Sequence, residues 1–120
     1  MMPVSAPPAI GELQGFKARF FKALAHPVRI RIVEHLVERD RTVQELQGAL
    51  ALDQSSVSQH LAVLRANHVV TSRKVGVTVR YALRDPLVGD LLGVARRIFS
   101  NQLAGTQDML RELQRERSRR

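Results

Sequence analysis

Between Thr42 and Leu64 the chain reads TVQELQGALALDQSSVSQHLAVL, two helix starts with almost no room between them. Thr42 and Glu45 have the spacing of a capping box, in which a hydroxyl and a carboxylate each satisfy a backbone N–H that a first helical turn leaves unpaired. Val43, Leu46 and Leu50 give the short helix an apolar stripe, and it ends near Leu50 or Ala51. Asp53 then caps a second helix that runs to about Ala66. Two helices joined by so tight a turn are a candidate helix-turn-helix.

The second of these helices has two unlike sides. Val57, Leu61 and Leu64 fall within about a quarter turn of one another and mark the buried side. Ser55 and Gln59 point the opposite way, Ser56 and His60 lie on one flank, and Gln54 stands near the start. A short-armed, uncharged polar face suits contact with base edges. The major groove admits a helix, glutamine pairs with adenine through a donor and an acceptor, and serine serves several bases or a phosphate. A merely solvated face is the competing reading, and the tight turn before the helix and the basic hairpin after it weigh against it.

The flanking segments fit around this pair. GELQGFKARFFKAL places Leu13, Phe16, Phe20 and Leu24 at helical spacing, with Phe21 widening the stripe. Pro27 opens a further helix with Ile30, Val33 and Val37 along one side and Ile32 and Leu36 beside them. From Val69 the period becomes two, through Val79, Tyr81 and Leu83, and Gly76 marks the turn of a hairpin whose tip carries Arg73, Lys74 and Arg80. After Pro86, Leu87, Leu91, Val94, Ala95, Ile98 and Phe99 crowd one side of a last long helix, which either breaks at Gly105 or runs on through Leu110 and Leu113. Residues 1–9 read as a flexible Pro-rich arm, 10–104 as one domain, and 105–120 as a helical extension with a basic tail. Both terminal helices carry more apolar surface than one small core uses, which points to a second copy of the chain.

Charge names the class of partner. Lys and Arg number 19 against 11 acidic residues, for a net charge of +8. The last ten residues contribute five Arg against two Glu, so the body is basic too. That balance favours a polyanion: DNA, RNA or an anionic membrane surface. Arginine outnumbers lysine, which suits bidentate contacts to phosphates and bases and equally fits the codon bias of a GC-rich genome. With no cysteine, disulfides, thiolate metal sites, iron–sulfur clusters and thiol switches are excluded from this chain. No apolar run reaches the roughly 18 residues of a membrane helix and MMPVSAPPAI lacks the regions of a signal peptide, so a cytoplasmic location is expected.

Residues Ala23 to Leu83, with their LAHPVRIRI opening, SSVSQHL helix and SRKVGVTVRYAL hairpin, resemble the ArsR/SmtB winged helix-turn-helix regulators in order and spacing. The resemblance implies a mainly α fold with a small β-hairpin, in the order α-α-α-α-β-β-α. It also implies a homodimer through the first and last helices, with Phe16, Phe20, Leu91, Ile98 and Phe99 at the interface. Gln54, Ser55, Ser56, Ser58, Gln59 and His60 then face successive major grooves of an imperfectly palindromic operator in double-stranded DNA. Arg73, Lys74 and Arg80 grip phosphates from the wing, and affinity falls steeply with salt.

The chain departs from the family where effectors bind. Members commonly release DNA on binding metal, through cysteines on the helix before the reading helix or through Asp, His and Glu pairs on the last helix. TVQELQGAL holds no thiol, and DPLVGDLLGVARRIFSNQLAG offers Asp85 and Asp90 with no histidine. His26, His35, His60 and His68 lie elsewhere, none at the i, i+4 spacing that puts two ligands on one helix face. No metal site is assigned; a site shared between subunits, built from imidazole with carboxylate or the N-terminal amine, would suit nickel, cobalt or zinc. A small organic effector, a separate sensor protein or no effector at all are the other options. Asn67 and His68 stand where the family often has Gly-Leu, and Asn tolerates the left-handed turn expected there.

Two other functions compete: a basic RNA-binding or architectural protein that ignores sequence, and an adaptor whose last helix docks a sensor. An enzyme is not expected, since there is no phosphate-cradling glycine loop and no nucleophilic set outside the reading helix. Repression or activation depends on where the operator lies.

Overall fold

Residues 10–103 and 106–118 are described by the computed structural model. In chain order they form α1 (Glu12–Leu24), α2 (Pro27–Glu38), β1 (Arg41–Thr42), α3 (Val43–Leu50), α4 (Gln54–Ala66), β2 (Val70–Val75), β3 (Thr78–Leu83), α5 (Leu87–Gln102) and α6 (Gln107–Ser118). The expected helix and hairpin order is present with a short third strand added, and of the two alternatives for the C-terminal extension the separate helix is the one found, as α6. The arm expected over residues 1–9, and Gly105, lie outside the described residues. Among those described, no helix is long and apolar enough to cross a membrane.

Local chemistry sets each boundary around α4. Pro27 opens α2 where its missing N–H is harmless, and His26 caps the helix by accepting the Val28 amide at Nδ1, 3.1 Å away. The Thr42–Glu45 box closes in both directions, at 3.1 and 2.9 Å. Ala51 ends α3 in the left-handed conformation (φ 56°), a cost of about 1 kcal/mol for a residue with a Cβ. The chain is thereby turned sharply enough for Asp53 to cap α4 only two residues later, its Oδ1 accepting the Ser56 amide at 2.8 Å.

The left-handed residue at the other end of α4 is His68 (φ 64°), not Asn67 (φ −106°). The His68 amide donates to the Arg65 carbonyl and the Val69 amide to the Leu64 carbonyl, the paired bonds of a Schellman ending, which place the left-handed position at His68. The His68 ring lies 5.7 Å from that of Phe16, so its contact with α1 helps offset the backbone cost.

The core gathers Ala23 and Leu24 of α1, Ile32, Val33 and Leu36 of α2, Leu46, then Val57, Leu61 and Leu64 of α4, with Val69, Val70 and Val88. The buried side of α2 is therefore Ile32–Val33–Leu36, while Ile30 is rotated into solvent and Val37 receives α5 at Gly89, whose Cα carries no side chain to hold the helices apart. The sheet order is β1-β3-β2, all antiparallel. Arg41 and Thr42 pair with Tyr81 and Arg80, a strand too short to show any period in the sequence. Val75 pairs with Thr78 across Gly76 and Val77, and Gly76 adopts the positive φ (62°) that this two-residue turn requires.

Candidate nucleic-acid interface

The two sides of α4 separate as its spacing dictates. Val57, Leu61 and Leu64 are fully buried, whereas Gln54, Ser55, Ser58 and Gln59 are exposed and Ser56 is half-buried. The helix is seated on the core by its apolar side, and its outer face leaves the amides of Gln54 and Gln59 and the hydroxyls of Ser55 and Ser58 exposed to an incoming ligand. Hydrogen bonds from the Ser56 hydroxyl and then the Ser56 amide hold the Asp53 carboxyl below its ordinary range, so the cap is anionic at neutral pH.

His60 is placed differently from the rest of this set. It is half-buried, with Nδ1 3.2 Å from Arg29 Nη1 and its ring centroid 4.4 Å from that of His26. Burial first, then the charges of His26 and Arg29, lower its pKa. Arg29 and His26 were not singled out for this surface by sequence reasoning. They lie more than thirty residues from His60 along the chain, and no local pattern links them.

On the wing, Arg73 and Arg80 are not at the tip. They face each other across the ladder, two pairs inside the turn. Two like charges in that register repel, and nearby carboxylates relieve them: Arg73 lies 3.6 Å from Asp40 and Arg80 lies 3.7 Å from Glu45. Arg80 also donates to the Asp40 carbonyl and its side chain is only 29% exposed, against 67% for Arg73. Arg73 and exposed Lys74 are thus presented to solvent, and Arg80 ties the wing to the start of α3.

The apolar residues of the terminal helices divide in two. Phe20 and Leu91 pack against the core, while Phe16, Ile98 and Phe99 are each about half exposed, at 47%, 49% and 49%. Phe16, Phe20, His68 and Leu91 line an open cleft of about 440 Å³ between α1 and α5. Among the described residues no three His, Asp or Glu side chains gather where they could hold a metal ion. Asp85, one of the two acids near α5, is occupied in accepting the Leu87 amide.

Known proteins match this arrangement. The model of the arsR family of bacterial regulatory proteins matches residues 26–72, the span from the cap of α2 through α4 into β2. An uncharacterized HTH-type transcriptional regulator of Mycobacterium tuberculosis, Rv0081, is 45% identical over 102 residues, which cover 84% of this chain and 90% of that one. The chain belongs to the ArsR family. The crystal structure of Rv0081 superposes on this ArsR-family fold with a TM-score of 0.73 at 44% identity, covering 83% of this chain and 97% of that one. A probable mercury resistance operon repressor of Streptomyces lividans is 36% identical over 87 residues, 72% of this chain and 70% of that one. A homodimeric winged helix-turn-helix DNA-binding domain from Mycobacterium bovis shares the fold at a TM-score of 0.74 and 24% identity, over 89% of this chain and 97% of that one. As an ArsR-family protein, this chain is a DNA-binding transcriptional regulator of the winged helix-turn-helix type.

Proposed function

We propose that the protein works as a homodimer, joined through α1 and α5, that reads an imperfect palindrome with its two α4 helices. The observation that carries this reading is the division of α4 into a fully buried apolar side and an exposed Ser/Gln side, next to a wing that presents Arg73 and Lys74. Gln54, Ser55, Ser56, Ser58 and Gln59 make the groove contacts, with His60 at the edge of the set. Arg73 and Lys74 contact phosphates directly, and Arg80 holds the wing that carries them. A two-fold dimer places the half-sites about one helical turn apart, roughly 10 base pairs. Acting on DNA puts the protein in the cytoplasm.

Its effector is not mercury bound through thiolates, as the chain has no cysteine to supply them. Nickel, cobalt or zinc would need ligands from both subunits, and a separate sensor protein is the alternative source of the signal.

Fluorescence anisotropy on the DNA upstream of its own gene and on a scrambled duplex, with chelator and with added nickel or zinc, tests the reading. A preference for the upstream duplex supports a sequence reader. Equal affinity for both would favour a basic protein indifferent to sequence. Abolition of the preference by metal assigns sensing to this chain, and persistence moves it to an organic ligand or a partner.

A further inference from the structure

His60 lies on the flank of α4, and its ring is contacted by groups that belong to other elements. Arg29 of α2 approaches His60 Nδ1 at 3.2 Å and, through Nε, donates to the Ala23 carbonyl of α1 at 2.6 Å. His26, from the turn between α1 and α2, stacks obliquely on His60 at 4.4 Å while accepting the Val28 amide at its own Nδ1.

A guanidinium has donors and no acceptor, so His60 Nδ1 must be the acceptor and the ring must carry its single proton on Nε2. An imidazolium in the same place would set one N–H against another, beside a cation and a second imidazole. The charged and titratable groups acting on His60 are His26 and Arg29, both of which oppose its protonation, and α1 contributes the neutral Ala23 carbonyl.

We infer that Arg29 is a positioning residue for DNA reading: its guanidinium ties the last turn of α1 to the reading helix through neutral His60, and so fixes the angle at which α4 is presented. The inference rests on the proposed reading in which α4 enters the groove and α1 lies at the dimer face. Base-edge recognition demands side chains held within about 0.5 Å of their productive positions, and a dimer must hold two such helices in register. A single planar fork that spans α1 and α4 meets that demand. A lysine, with one nitrogen on a flexible stem, cannot serve both acceptors in the same way.

The test is anisotropy at pH 7.5 and 5.5, on the upstream and scrambled duplexes, for the wild type, His60→Asn, Arg29→Gln and Arg29→Lys. Asparagine places a carbonyl near the Nδ1 position and does not titrate. Wild-type preference for the upstream duplex is expected to fall about tenfold on acidification, the scale of one proton taken up across His60's range. His60→Asn removes the titrating ring, so whatever preference it has at pH 7.5 should change less than about twofold at pH 5.5. Arg29→Gln lowers the preference about fivefold or more, on the scale of one lost base contact, and Arg29→Lys recovers less than half of it.

Preference that rises on acidification, with the rise abolished in His60→Asn, would overturn the inference by making His60 a phosphate-binding cation. Arg29→Gln weakening both duplexes equally, or leaving preference unchanged, would overturn it too. Should Arg29→Gln fail to fold, His60→Asn and Arg29→Lys decide by the same readings. No wild-type preference at either pH is a distinct result, which sinks the proposed reading itself.

Discussion

Helices α4 and α5 are both amphipathic, and they use that property in opposite ways. The apolar side of α4 is finished within one chain: its three buried residues have no exposure at all, and the exposed remainder is polar or charged apart from Ala62, Val63 and Ala66. On α5 only Val88 is buried, while Leu87, Val94, Ile98 and Phe99 remain 44–64% exposed. A side chain such as Ile or Phe gains about 1.5–3 kcal/mol when fully buried, so α5 carries stabilisation that one chain does not collect. The helix proposed to meet DNA is packed fully within the single chain, and the helix proposed to set the distance between two readers keeps an open apolar face.

The largest expected effect breaks the finished helix. Leu61→Ala should destabilise the fold by about 3 kcal/mol and lower the melting temperature by roughly 10 °C, read by thermal denaturation. A change under 1 kcal/mol would mean that α4 is less firmly seated than its burial implies.

Next in size is Ile98→Asp, which strikes the unfinished face. It should raise the dimer dissociation constant about thirtyfold or more in sedimentation equilibrium, while far-UV circular dichroism stays that of a folded chain. Loss of helix content without dissociation would place Ile98 in the fold of the single chain.

Gln59→Ala sharpens the contrast from the other side. Preference for the upstream duplex should drop by about 1–3 kcal/mol of discrimination, with thermal stability within about 0.5 kcal/mol of wild type. An unchanged preference would remove Gln59 from the set of reading residues.

The smallest effect concerns pH. Burial first, then the charges of Arg31 and Arg41, lower the pKa of His35 on α2, against the opposing pull of Glu38 and Glu34. The unfolded chain binds the proton more readily, so this contribution to stability is complete above about pH 6.5 and is lost as pH falls through the lowered folded value. Urea midpoints measured between pH 8 and 5 should show that decline, and His35→Gln should flatten it; a decline of equal size in the variant would assign it to another group.

How much of this was legible along the chain follows from how local each cause is. The capping box at Thr42, the cap at Asp53 and the Val57–Leu61–Leu64 side of α4 are written within a turn or two of sequence, and the structure repeats them. So are the hairpin and its Gly76 turn. Strand β1 was not legible, because its two residues become a strand only by lying beside β3. The left-handed ending of α4 was misplaced by one residue, since Asn has the stronger intrinsic tolerance while the Schellman bonds select His68. Arg80 reads as a free cation in sequence and is drawn to Glu45, 35 positions away. The Arg29–His60 contact has the same non-local origin.

Whether two chains read DNA together is decided most directly by the stoichiometry of the complex with the upstream duplex, measured by sedimentation of labelled DNA under titration. The predicted result is two 13.5 kDa chains bound together per duplex, with preference over the scrambled sequence. A single chain bound with that same preference would contradict it, because the open face of α5 would then have no part in reading.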